Sequence, residues 1–414
     1  MRISAIRGCG VVVAMAVALG LAAEPPQEPG MNMMVDGFAF KLFHELGRGQ
    51  GNLLFSPASV AVALDMALTG ARGGCAAELR KALGQTLPGP AAALSAKDFL
   101  DGLSRKEGAN ACDLHIANAL WCDQASPFLA SYVAVLRDCY GAPATPLDFR
   151  GAPEDAIKRI NAWVAEATRG KINEIVGPLS VGASTRLVLT DAIYFKGAWQ
   201  KPFLPEATRK APFKLAPSSV RQVPFMRQTD RFLYAETPSA QIIELNYRGA
   251  KGVSMLVILP REGVALERLE RELSLSWYQA MVSTLTVVNA ELSLPKFKVK
   301  AQYELKDALG ALGIHKAFLP DEADFSGMTG KRDIFLGSVA HKAYARVDEG
   351  GTEAAAATVV AFEAIAPPPR KLRDVVFKAD RPFLYIIRQR FPDTVLFLGR
   401  MARPEPTNME HPPK

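Results

Sequence analysis

Apolar positions along the chain fall into segments of two periods. Between Met34 and Leu46, Phe38, Phe40, Leu42 and Phe43 recur at helical spacing. Ser56-Pro57 opens an Ala-rich helix, with Ser at the capping position and Pro in the first turn, where its missing N–H costs nothing. Ala76–Gln85 and Phe128–Tyr140 read as helices, and Ile157–Thr168 as an amphipathic one followed by Gly170. Tyr303–Leu312 reads as a helix ended by Gly313. Leu114–Cys122 alternates like a half-buried strand, whereas Leu187–Phe195 is a near-continuous apolar run suited to a strand covered on both faces. Further strands are expected at Gln241–Leu245, Val253–Leu259 and Ala290–Leu294, and two more, Phe383–Arg388 and Val395–Met401, close the pattern. Strands and helices are interspersed without a repeat or a hinge-like linker, so one α+β domain over residues 31–407 is expected.

Composition narrows the function. Of 414 residues, 49% are hydrophobic, enough for a large core. The net charge is +7, but the basic residues are dispersed: Ala76–Gln85 carries only Arg80 and Lys81. A solvated basic surface follows, with no nucleic-acid site. Arg2 and Arg7, the apolar run Val11–Ala23 and the small residues of Leu21-Ala22-Ala23 read as a signal peptide over residues 1–23, implying a secreted, extracellular or periplasmic protein. A Pro-rich leader (24–30) follows it, residues 408–414 read as a flexible tail, and no second stretch approaches membrane-spanning length. Cys9 leaves with the signal, so Cys75, Cys112, Cys122 and Cys139 enter an oxidising compartment that permits disulfides. There is no CxxC and no paired histidine to hold a metal, and Gly327-Met-Thr-Gly330-Lys331 is too short a loop for a phosphate cradle. GxSxG and HExxH are missing, and none of His44, His115, His315, His341 and His411 has the context of a catalytic base. Neither an enzyme nor a cofactor is expected.

The stretch from Asp348 to Pro382 is the most informative. Thr352–Ile365 contains neither Pro nor Gly, and Pro367-Pro368-Pro369 follows at once. Proline is excluded from a central strand, so the first half can become an inner strand and the second cannot. Thr352, Ala354, Ala356 and Thr358 would share one face, all compact enough to slide over a packed core, with Glu353 on the other face. On composition alone, an Ala-rich helix or a flexible linker is the simpler reading.

Other motifs reverse that preference. Glu349-Gly-Gly351-Thr-Glu353-Ala-Ala-Ala-Ala357 resembles the hinge of the serpins, and Phe377-Lys-Ala-Asp380-Arg-Pro382-Phe383-Leu resembles their C-terminal signature. Asn52-Leu-Leu-Phe-Ser56-Pro57-Ala-Ser59, Ile160-Asn161, Trp163-Val164, Thr168–Ile172 and Asp191-Ala-Ile-Tyr-Phe-Lys196-Gly197-Ala-Trp199 resemble family motifs in order. So do Leu294-Pro295-Lys296-Phe297, Ala323–Met328 and Leu396–Arg400.

The resemblance implies three β-sheets surrounded by eight or nine helices, and an exposed reactive loop, here residues 349–376. It implies a monomeric inhibitor, not a catalyst. A serine protease, or by the same logic a cysteine protease, attacks the loop and forms an acyl-enzyme, and the loop then inserts into the main sheet. Gly351, Thr352, Glu353, Ala354, Ala355, Ala356 and Ala357 match the hinge, Glu349 the acidic anchor of the neighbouring strand, and Trp199 the aromatic where the sheet opens. Ser56, Ser59, Asp191 and His341 match a polar cluster beneath it. Two positions depart from the family: Asp191 stands where Asn is usual, and Cys75 stands where a Thr precedes Ala76-Ala77-Glu78, removing a helix cap. If Asp191 and His341 are in contact, sheet opening is expected to vary with pH where that histidine titrates, and Asp191→Asn to flatten the dependence.

The family's hinge-to-scission distance places the bait bond at Ile365–Ala366, with Ala364–Ile365 as the near alternative. The rival Arg370–Lys371 would draw three prolines into a central strand. An apolar residue at the specificity position suits an elastase-like or chymotrypsin-like enzyme. The family arrangement also makes the strands after Cys112 and Cys139 parallel neighbours, so a Cys112–Cys139 bridge is expected. A non-inhibitory carrier or chaperone is the alternative. Such members often carry bulky, charged or proline residues in the hinge, and this hinge has none.

Overall fold

The computed structural model describes residues 30–104, 112–216, 218–249, 252–352 and 372–405. The signal sequence, almost all of the leader, hinge residues Glu353–Ala357, the Ile365–Ala366 bond and the tail lie outside the described residues.

Two helices found by their spacing open the core. α1 (Met31–Leu46) buries Phe38, Phe40, Leu42 and Phe43. α2 (Pro57–Gly70) is buried on every face but one residue, which its run of alanines permits, and Ser56 Oγ caps it by accepting the Ser59 N–H at 3.1 Å. The strand β1 (Leu53–Phe55) lies between them. α3 (Gly73–Leu83) starts two residues before Cys75, so the thiol sits in its first turn and not at a cap position. α4 (Gly89–Ser104), β2 (Asp113–Asp123) and α5 (Ala130–Val135) follow. α5 ends in a π turn, Leu136–Tyr140, stopped by Gly141 at φ +61. Next come β3 (Ala144–Leu147), α6 (Pro153–Ala167), β4 (Leu187–Ala198), β5 (Arg209–Ala216), β6 (Ser219–Glu236), β7 (Ala240–Asn246) and β8 (Val253–Pro260). The last third holds α7 (Leu266–Glu272), α8 (Leu275–Ser283), β9 (Thr286–Pro295), β10 (Phe297–Glu304), α9 (Lys306–Ala311), α10 (Ser326–Thr329) and β11 (Leu336–Asp348). β12 (Gly351–Thr352), β13 (Asp374–Lys378), β14 (Phe383–Arg390) and β15 (Asp393–Met401) complete it. The expected helix at Tyr303 begins later, at Lys306, because Tyr303 and Glu304 still pair with His341 and Ala340 as the end of β10.

The α+β architecture is the expected one. Its strands hydrogen-bond as two units where three sheets were anticipated. A nine-stranded sheet runs β1-β15-β14-β8-β7-β6-β9-β13, with β5 also on β6. Long β6 is the reason: its first half pairs with β5 and its last four residues with β7, so two layers share one ladder. The six-stranded sheet runs β10-β11-β12-β4-β2-β3. One core lies between it, α1, α2 and the larger sheet, and a second, smaller core lies under α6 on its opposite face.

The expected Cys112–Cys139 bridge is absent, since both thiols are free. β3 pairs with only the last four residues of β2, so the starts of these parallel strands are staggered. Cys112 Sγ faces Gly197 and the Arg248 carbonyl at 3.9 Å, while Cys139 lines a cavity of about 400 Å3 with Lys97, Leu100 and His115. Burial pushes the Cys112 thiol up to about 12, which keeps it protonated and unreactive.

Candidate functional site at the central seam

β11 and β4 are parallel neighbours in the middle of the six-stranded sheet, paired from Leu336↔Leu187 to Tyr344↔Tyr194. Beyond Tyr344 they part, and β12 fills the gap. Thr352 pairs with Val347 and Gly197, and Gly351 with Asp348 and Ala198, antiparallel on both sides. Gly351 and Thr352 are therefore already strand residues inside the sheet. Gly351 is required there: its φ is +147, and a Cβ would lie 2.1 Å from the Gly197 carbonyl oxygen. Thr352 is fully buried, and its hydroxyl meets the Tyr247 hydroxyl at 2.7 Å.

Trp199 forms the floor of this mouth. Its ring stacks on Tyr247 at 4.5 Å, its indole N–H donates to the Asp348 carbonyl at 3.0 Å, and its backbone N–H to the Gly350 carbonyl at 2.9 Å. Glu349 is tied twice, accepting from the Thr208 hydroxyl at 2.8 Å and pairing with Lys296 at 2.7 Å. Desolvation pushes the Glu349 carboxyl up, but Lys296 and Thr208 outweigh it and hold the group below its ordinary value.

Halfway down the seam, His341 of β11 stands directly across from Asp191 of β4. His341 Nε2 accepts the Ser56 N–H at 3.1 Å, so that nitrogen carries no proton. Its Nδ1 lies 3.0 Å from Asp191 Oδ2, both groups fully buried. Neither atom reaches a well-aligned hydrogen bond there or elsewhere among the described residues. Asp191 Oδ1 accepts from the Ser59 hydroxyl. The structure thus brings Ser56, Ser59, Asp191 and His341 together, as the resemblance implied, and adds Asn118, whose side chain donates to the Ser59 carbonyl at 3.0 Å. Asp191 thus sets a carboxyl group against the His341 imidazole across the seam.

A strap crosses the seam on the far face. Ile172, Ile175 and Val176, just after α6, are buried with that helix against β2, β4 and Ala340 of β11. Asn161 holds the strap from the α6 side, accepting the Ile175 and Val176 N–H groups at 2.8 and 3.1 Å and donating to the Val176 carbonyl at 2.9 Å. From the other side Lys342 donates to the Glu174 carbonyl, and Gln302 to the Ile175 carbonyl at 3.0 Å.

Lys296, Tyr247, Asn118 and the strap were not singled out from sequence as parts of the site. Lys296 stands inside the quoted Leu294-Pro295-Lys296-Phe297, but nothing local marks a lysine for a partner that the fold brings from β11.

The mouth of this parallel seam thus holds an antiparallel segment between its two strands. The sequence pattern of the serpin (serine protease inhibitor) family matches residues 33–404. An uncharacterized serpin-like protein of Thermococcus kodakarensis is 37% identical over 382 residues, covering 92% of this chain and 87% of its own. The leukocyte elastase inhibitor of Equus caballus is 38% identical over 377 residues, covering 89% and 97%. Among solved structures, Serpin48 of the insect Tenebrio molitor superposes with a TM-score of 0.81 at 31% identity, covering 91% and 98%. The chain belongs to the serpin (serine protease inhibitor) family, and it is not an enzyme.

Proposed function

We propose that this chain is an exported suicide-substrate inhibitor of serine proteases with elastase-like or chymotrypsin-like specificity. The protease serine attacks the Ile365 carbonyl, the Ala366 amine leaves, and the freed strand enters the seam before the ester is hydrolysed. The observation that carries the reading is the double pairing of Gly351 and Thr352 between β11 and β4. Continuing that register takes up residues 353–362, one for each β4 residue from Lys196 down to Leu187. The inserted strand then ends just short of Ile365, and the prolines at 367–369 stay outside the sheet. The same register sets Thr358 opposite both His341 and Asp191, offering a small hydroxyl to the facing atoms, which make no hydrogen bond to each other. Insertion also turns one parallel junction into two antiparallel ones, each slightly more stable per residue. Similarity to a leukocyte elastase inhibitor supports the target class.

Incubation with an elastase-like and a chymotrypsin-like protease tests the reading on a denaturing gel. An SDS-stable complex is expected, with a released C-terminal fragment beginning at Ala366 by mass spectrometry. Cleavage without complex points instead to the carrier reading, and a trapped trypsin-like enzyme with a fragment beginning at Lys371 defeats the assignment of the bond.

A further inference from the structure

The reactive segment rejoins the fold at a basic corner. β13 is the edge strand beside β9, with Asp374 next to Asn289, and Asn289 pairs in turn with Arg231 of β6. Directly opposite residues share a face, so these three form one outward row, tied where Asn289 donates to Asp374 at 2.6 Å. Arg227, Ser293 and Lys378 form a parallel row. Arg227 and Arg231 are exposed, and their guanidinium groups have no ion-pair partner among the described residues. Arg373, with a side chain 63% exposed, lies 6.0 Å over the Tyr234 ring and pairs with Glu236. Glu236 also pairs with Arg261 at 2.6 Å, so its charge is already shared. Arg370 and Lys371 stand just ahead of this corner in the sequence.

We infer that this corner is a secondary docking surface for the attacking protease, favouring enzymes with an acidic surface on the side that receives the residues after the scissile bond. The inference rests on the inhibitor reading and on Ile365–Ala366 as the bait. From Ala366 to Leu372 the chain spans at most about 20 Å even fully extended. A protease domain of ~220 residues has a radius of gyration of about 17 Å, so an enzyme closed on that bond must lie against the corner. Unpaired exposed cations there raise the association rate of an acidic partner and oppose a basic one, within a Debye length of about 10 Å. A sulfated polysaccharide fits less well, because Glu236, Glu291 and Asp374 are interleaved with the cations and the arginines are divided between the two faces of the edge.

Chymotrypsin and its succinylated form, in which lysines become carboxylates, share an active site and differ in surface charge. Second-order trapping rates are measured with the full chain at about 50 and about 300 mM salt. The succinylated enzyme is expected to be trapped roughly tenfold faster at low salt, with the advantage collapsing at high salt and in an Arg227→Glu/Arg231→Glu variant of unchanged thermal midpoint. Equal rates for the two enzymes, or an advantage that the variant keeps, overturn the inference. Heparin retention that the variant loses, with no difference between the enzymes, overturns it in favour of a polysaccharide. If neither enzyme forms a stable complex, the gel shows that the inhibitor reading has failed and the inference with it.

Discussion

Glu349 holds the mouth of the seam through two contacts of different kinds, a hydroxyl from Thr208 and a cation from Lys296. Its folded value lies below the ordinary 4.5, so its stabilising contribution is complete above pH 4.5 and is lost as pH falls through the folded value. Lys296→Met should lower native stability at pH 7 by about 1–3 kcal/mol, the range for a charge-assisted hydrogen bond in a partly buried setting, and should flatten the loss below pH 4.5. Thermal midpoints at pH 7 and pH 4 check this, and a variant matching the parent at both would show that the pair does not hold the mouth. Glu349 and Trp199 were legible in the sequence because they sit in motifs of fixed order. Their partners were not, because Lys296 and Tyr247 gain their meaning only from strands that arrive from elsewhere in the chain. Asp191 was legible as a departure, but only the register showed that it faces His341 across the seam.

Among the elements, those buried on both faces were plainest. β4, β8, β14 and β15 are near-continuous apolar runs, because no face of them meets water. β11 is as buried, yet it reads Leu-Gly-Ser-Val-Ala-His-Lys-Ala, with Ser338 bonded to Glu304, His341 to the Ser56 N–H and Lys342 to Gln302. No periodicity reveals a strand whose polar residues are satisfied by other strands. The strap after α6 was hidden for the same reason, since Asn161 was legible as a motif residue but not as its anchor. Asn161→Ala removes three hydrogen bonds to strap backbone and should cost roughly 2–3 kcal/mol of native stability. A synthetic peptide copying residues 353–362 should then anneal into the seam faster than into the parent protein, followed by native gel shift. An unchanged annealing rate would mean that the strap does not gate the seam.

At the scale of the molecule, the proposed insertion would part β11 from β4 and set a strand between them. Thr352, fully buried against Tyr247, is where that insertion would begin. Thr352→Arg would force a long cation into that contact, at a cost of several kcal/mol. The expected result is cleaved protein without trapped protease on a denaturing gel, and full inhibition by this variant would exclude the insertion mechanism. The order β1-β15-β14-β8 has a consequence of another kind. β15, the last strand among the described residues, is not added at an edge. β15 lies between β1, near the start of the chain, and β14, with its Leu398, Gly399 and Arg400 set against Phe55, Leu54 and Leu53. During synthesis β1 must therefore wait for β15, made far later in the chain, its edge open to wrong partners in the meantime. Premature termination before Val395 should leave a nascent chain dependent on chaperones, however complete its other sheet.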